Sequence, residues 1–128
     1  MLEFVYDTRF FVEYFYSDDK KFLERANDFI IRSRGGHVSA LTIHEIYLVS
    51  LRKEGRDTAR IRLRLLLDRF RVVDVDAEIA ISAAELRQRH QIPMADGIIA
   101  ATCSTLNARC VTDDPHFKTL KQLKTLWI

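Results

Sequence analysis

Asp7, Glu45, Asp96 and Asp114 are the residues whose settings ask for chemistry, because each adjoins a short apolar run where an ionised carboxylate is out of place. Asp96 is the sharpest case: from Pro93 to Ala108 it is the only charged residue. A helix of that composition is apolar on all sides and is therefore buried. Proline at Pro93 suits a first turn, where its missing N–H has no intrahelical partner. A carboxylate in the same turn faces the positive end of the helix dipole, worth about 0.3–1 kcal/mol. Helix physics alone accounts for Asp96. An ionised group at the mouth of a buried helix must still be paired, hydrated in a cleft or bound to a metal.

The other three carboxylates have local explanations as well. Asp7 can N-cap a helix that follows it, and Asp114 can N-cap one that begins at Pro115. Thr42-x-x-Glu45 fits a capping box. Taken together, the four share something that capping does not require, since each sits at a strand end or helix mouth on what should be one edge of a sheet. Caps should scatter over both edges, because helices begin after turns as well as after strands. Carboxylates within a few ångströms repel, and at least one is forced to a raised pKa unless a cation neutralises the group. Oxygen ligands with water to spare suit Mg²⁺ or Mn²⁺. Such an ion activates water and stabilises the charge that develops on a phosphodiester.

The elements that must position these residues are short strands alternating with helices. Strands are expected at Glu3–Tyr6, His37–Ala40, Val72–Val75, Arg109–Thr112 and Thr125–Ile128. Helices are expected at Thr8–Tyr16, Lys20–Arg34 (stopped by Gly35-Gly36), Thr42 to about Lys53, Asp57–Phe70, Ala77–Arg89, Pro93–Ala108 and, briefly, His116–Leu120. This alternation predicts an α/β fold with a mainly parallel sheet covered on both faces. Ligands of such sheets bind beyond the carboxyl ends of the strands. No repeat or linker interrupts the 128 residues, which are expected to form one domain over 1–128.

Composition narrows the classes. Hydrophobic residues at 48%, charged ones at 30% and a net charge of +2 describe a soluble globular chain. Glu3, Asp7, Arg9 and Glu13 break the N-terminal apolar region, so no secretory signal is expected, and no segment is apolar enough to span a membrane. Cys103 and Cys110 lack metal or disulfide spacing and read as buried small hydrophobes in a reducing cytoplasm. His37, His44, His90 and His116 form no paired-ligand spacing and receive no role.

In chain order, Val5-Tyr6-Asp7-Thr8, Val38-Ser39-x-x-Thr42-x-x-Glu45, Asp96-x-Ile98-Ile99-Ala100-Ala101-Thr102 and Val111-Thr112-x-Asp114-x-x-Phe117 resemble the motifs of PIN-domain ribonucleases. Among these the chain is most similar to the compact VapC-type toxins of prokaryotic toxin–antitoxin pairs, over essentially its whole length. The resemblance implies a Rossmann-like α/β/α sandwich and Mg²⁺- or Mn²⁺-dependent cleavage of RNA. It also implies a homodimer inhibited by a small antitoxin. It places Asp7, Glu45, Asp96 and Asp114 at the catalytic acidic positions, with Asp7, Asp96 and Asp114 holding the metal and Thr112 as an accessory hydroxyl. Two features depart from the pattern or leave it open. Arg9 stands where the family has a small polar residue, and Asp113 competes with Asp114 for the metal-facing role.

Basic residues crowd the stretch from Arg52 to Arg71, and Arg52, Arg56, Arg60 and Arg64 are candidate RNA phosphate contacts. The competing explanation is a solvated helix face with pairs such as Arg64–Asp68. The aromatic run Phe10 to Tyr16 reads as core or dimer interface rather than a base-stacking platform. Two rival functions remain. A PIN-like RNA-binding or scaffold domain without turnover is opposed by the intact acidic positions. A phospho-acceptor signalling domain needs an acidic pair at the end of the first strand, which is missing.

Overall fold

Strands β1 (Phe4–Tyr6), β2 (Gly36–Ser39), β3 (Phe70–Val73), β4 (Arg109–Val111) and β5 (Thr125–Leu126) form one sheet in the order β3-β2-β1-β4-β5. Every pairing is parallel. The computed structural model describes residues 2–34 and 36–128. Helices α1 (Thr8–Tyr16), α2 (Lys20–Arg32), α3 (Ala40–Glu54), α4 (Arg56–Arg69), α5 (Ala77–Arg89) and α6 (Met94–Leu106) fill the crossovers, and a 3-10 turn (Pro115–Thr119) joins β4 to β5. The chain runs outward from β1 to β3, then crosses back to β4 on the other side of β1. The strand order therefore reverses between β1 and β4, and their carboxyl ends flank the crevice where such sheets bind ligands.

Alternation along the strands divides the core into two layers. Tyr6, Val38 and Val111 face the layer built on α1 to α4, with Phe10, Phe11 and Ile46. Val5 and Cys110 face the opposite layer, with Ile99, Cys103 and Phe117. The aromatic run is core at its inner end: Phe10 meets Tyr6 edge-on at 4.8 Å, and Phe11 meets Phe70 at 5.2 Å and 89°. Helix α6 lies between the sheet and α5, with Asp96, Gly97 and Ile99 to Cys103 buried. Gly97 allows that sandwich to close, since a Cβ there would lie 2.9 Å from Cγ of Arg87 on α5.

Several boundaries differ from those the sequence predicts. The third strand begins at Phe70, two residues before Val72, because Phe70 is buried against Tyr6 and Phe11 whereas Val72 and Val75 are exposed. Helix α2 ends at Arg32, and Arg34 takes a left-handed φ of 57°. The stop assigned to Gly35-Gly36 is thus reached earlier; Gly35 lies outside the described residues and Gly36 opens β2. Pro93 is the N-cap of α6 rather than part of its first turn. No helix among the described residues is long and apolar enough to cross a membrane.

Candidate active site

Asp7 leaves β1 and caps α1. Its Oδ1 accepts the N–H of Thr8 at 2.8 Å, and its Oδ2 accepts the hydroxyl of Thr112 at 2.7 Å. The Thr112 contact follows from the sheet: Tyr6 is in register with Val111, so the residues one step beyond face each other across the β1–β4 crevice. Thr112 Oγ1 also accepts the N–H of Asp114 at 3.0 Å and so bends the chain after β4 toward Asp7. Asp114 then caps the 3-10 turn, its Oδ1 accepting the N–H of His116 at 2.9 Å.

Glu45 is not part of a capping box. Helix α3 begins at Ala40, capped by the Ser39 hydroxyl, which places Glu45 beyond the first turn. Its Oε1 instead accepts the hydroxyl of Thr8 at 2.7 Å. That hydroxyl has one proton, so the 3.0 Å contact with Thr42 Oγ1 runs from Thr42 to Thr8. A relay from the buried Thr42 through Thr8 to Glu45 thus fixes α3 against the start of α1. Sequence reasoning assigns Thr8 no role; its one signal is a hydroxyl directly after the first aspartate.

Asp96, third residue of α6, is buried at the mouth of the helix. Its Oδ2 lies 3.1 Å from Nδ1 of His116, yet among the described residues it has no hydrogen-bond partner. His116 Nδ1 is also 2.8 Å from Oδ1 of Asp114. One donor atom each from Asp96, Asp114 and His116 falls within 4.8 Å of the other two. His116 is the site residue that spacing in the sequence does not reveal.

The structure separates the two neighbouring aspartates. Asp113 Oδ1 accepts the Nε–H of Arg9 at 2.7 Å, and the pair stands at the exposed rim. Asp114 turns inward. Arg9, the departure from the family pattern, is therefore paired, and its guanidinium is held above its ordinary pKa, first by the hydrogen bond to Asp113.

Electrostatics bind the four carboxylates into one group. Burial pushes Asp7 up to about 6 from 3.8, its bonds to Thr112 and Thr8 oppose the rise, and the charges of Asp96 and Asp114 add to it. Burial, then Asp114, raises Asp96, with Glu45 adding to the effect; His116 and Arg9 partly offset it. Such a group fits a divalent cation: two raised aspartates, a buried carboxylate oxygen with no hydrogen-bond partner among the described residues, and a donor set of oxygens with one imidazole nitrogen.

Arg52 lines a groove of about 380 Å³ that opens beside Glu45 and Ala95. Arg60 and Arg64 line a different groove on α4 with Leu63, Leu67 and Asp68, and Arg56 lies exposed at the start of that helix. The expected Arg64–Asp68 pair does not form among the described residues; Arg62 instead pairs with Glu54 on α3.

Fold and site together define a Rossmann-like α/β/α sandwich with a carboxylate cluster at its switch point. The chain belongs to the PIN domain family, whose pattern matches residues 4–123. Solved structures similar to it include a chain of the VapBC2 complex of Rickettsia felis bound to a promoter DNA fragment, at 18% identity and a TM-score of 0.82 over 98% of both chains. FitAcB of Neisseria gonorrhoeae matches at 21% identity and a TM-score of 0.77 over 96% of both chains. VapC20 of Mycobacterium tuberculosis, a toxin that cleaves the sarcin–ricin loop, matches at 19% identity and a TM-score of 0.73 over 92% of this chain and 95% of that one. No curated protein matches the chain in sequence.

Proposed function

We propose that the protein is a divalent-metal-dependent endoribonuclease and the toxin of a VapBC-type pair, its 128 residues forming one nuclease domain. The observation that carries the reading is the buried Oδ2 of Asp96, which has no hydrogen-bond partner among the described residues, on a carboxyl whose pKa burial and the charges of Asp114 and Glu45 raise. A carboxylate cluster that holds the pKa values of Asp7 and Asp96 up is an arrangement made for a ligand rather than for stability. Asp7, Asp96 and Asp114 would hold Mg²⁺ or Mn²⁺, which supplies water activation and charge neutralisation when bound. Thr112 orients Asp7 and Asp114 at once, and Thr8 orients Asp7 and Glu45. Glu45, on α3 and held by the Thr8 hydroxyl, takes the part of general base. Arg52 guides the RNA strand beside the acids, while Arg56, Arg60 and Arg64 extend phosphate contacts along α4.

The partners follow from the same reading: RNA as substrate, a small cognate antitoxin as inhibitor, a second copy of the chain, and the cytoplasm as location. Purified protein should cleave RNA with Mg²⁺ or Mn²⁺, EDTA should stop it, and Asp96→Asn should abolish it while the fold persists. Cleavage that survives both EDTA and Asp96→Asn would refute the reading. Metal-dependent RNA binding with no product from any RNA would favour the scaffold alternative.

A further inference from the structure

We propose that the imidazole of His116 supplies a nitrogen ligand beside Asp96 and Asp114, giving a mixed nitrogen–oxygen centre that discriminates against Mg²⁺ in favour of divalent ions that accept imidazole. The proposal rests on the metal-centre reading above and deepens it. His116 Nδ1 stands 2.8 Å from Asp114 Oδ1 and 3.1 Å from Asp96 Oδ2. Two ligands at a right angle on an ion with bonds of about 2.1 Å lie about 3 Å apart. The contacts therefore have the length of edges of one coordination shell.

An imidazole that only hydrogen-bonds the two carboxylates would give similar distances, but it should then satisfy the buried oxygen that has no other partner. Asp96 Oδ2 is that oxygen: it is buried and accepts no hydrogen bond among the described residues, although Nδ1 is 3.1 Å away. The ring nitrogen is beside this oxygen without a hydrogen bond to it among the described residues, as two ligands of a shared third centre are.

The backbone presets the position. Asp114 holds the His116 N–H, Pro115 fixes the first torsion of the turn, and the buried Phe117 anchors the residue after it. The imidazole itself is half exposed at the mouth of the site, so it is placed by its turn and not by packing. Nitrogen donors suit later first-row ions, whereas Mg²⁺ prefers carboxylate and water. Mn²⁺ accepts both and serves as the probe.

Pulsed electron paramagnetic resonance of Mn²⁺ added to the intact protein should show echo modulation from a directly bound ¹⁴N. His116→Gln should remove that modulation and weaken Mn²⁺ binding, measured by titration, about tenfold or more, with a smaller loss for Mg²⁺. His116→Ala should behave alike, and His44→Gln should keep the modulation. Mn²⁺ bound without nitrogen modulation, or modulation that persists in His116→Gln, would overturn the role of His116 while leaving the metal centre intact. Failure of Mn²⁺ to bind the unaltered protein would overturn the centre and the ligand together.

Discussion

Burial holds the Asp7 carboxyl above its ordinary pKa, and that shift has a sign that can be measured. Its folded-state pKa is about 6 against an ordinary 3.8, so its contribution to stability is full below about pH 4 and is lost as pH rises through about 6. The gap corresponds to about 3 kcal/mol. Metal-free protein should therefore melt higher at pH 5 than at pH 7.5, and Asp7→Asn should flatten that dependence while raising the Tm at pH 7.5. Asparagine caps a helix about as well as aspartate, so the start of α1 is preserved. Thermal melts in EDTA check this, and equal slopes in both proteins would put the buried charge elsewhere. Thr112→Val strips a donor from Asp7 and an acceptor from the Asp114 amide. It should cost about 1–3 kcal/mol by urea unfolding and reduce metal affinity in step. At this scale the sequence is legible where one residue has one neighbour. Capping and clustering look like rivals along the chain, yet Asp7 gives one oxygen to each. The Arg9–Asp113 pair spans 104 positions, so no local pattern announces it. His116 escapes sequence reasoning because its placement comes from a 3-10 turn that folds it back over its own cap.

Helix α6 shows what one element contributes to the site. Its position depends on a close approach to α5, where Arg87 packs over Gly97 and its Nε–H bonds the carbonyl of Ile92 at 3.1 Å, just ahead of the helix. Gly97→Ala should gain about 1 kcal/mol in helix propensity and lose about 1–3 kcal/mol to overpacking, a net destabilisation. Because the collision is with Arg87 Cγ, Arg87→Ala should relieve it, so that Gly97→Ala becomes neutral or stabilising in that background. A urea double-mutant cycle measures the coupling, and additive effects would mean that the helices do not press on each other there. The burial of α6 is readable from its lack of charge. The start of β3 is not, because Arg69-Phe70 continues the helical pattern of α4 and only the pocket between Tyr6 and Phe11 draws Phe70 into the sheet. Thr42-x-x-Glu45 misleads for a related reason. Ser39, at the end of β2, reaches the free amides first, and the start of α3 moves with it.

Across the whole molecule, the alternation of apolar runs with helices is enough to predict a parallel sheet, and the gathering of strand ends follows from it. What the pattern cannot supply is the orientation of surfaces. Arg52, Arg56, Arg60 and Arg64 are one basic run in sequence, and the turn at Gly55 distributes them over two helices. Arg52 faces the groove beside Glu45, whereas Arg60 and Arg64 stand along α4 among Leu63 and Leu67. RNA held by all of them would have to pass from the acids across the α3–α4 hairpin. Removing one arginine–phosphate interaction should then lower the slope of log affinity against log salt by about 0.7 for a single strand. Arg52→Ala should reduce both that slope and the cleavage rate, because its groove adjoins the carboxylates. Arg60→Ala with Arg64→Ala should reduce the slope by about twice as much and leave cleavage at saturating RNA unchanged. Binding titrations of a single-stranded RNA at several salt concentrations, with Ca²⁺ to hold the site without turnover, separate the two effects. If the double variant binds with the original slope, the RNA leaves the site along another path, and the arginines and leucines of α4 belong to a surface that the substrate does not touch.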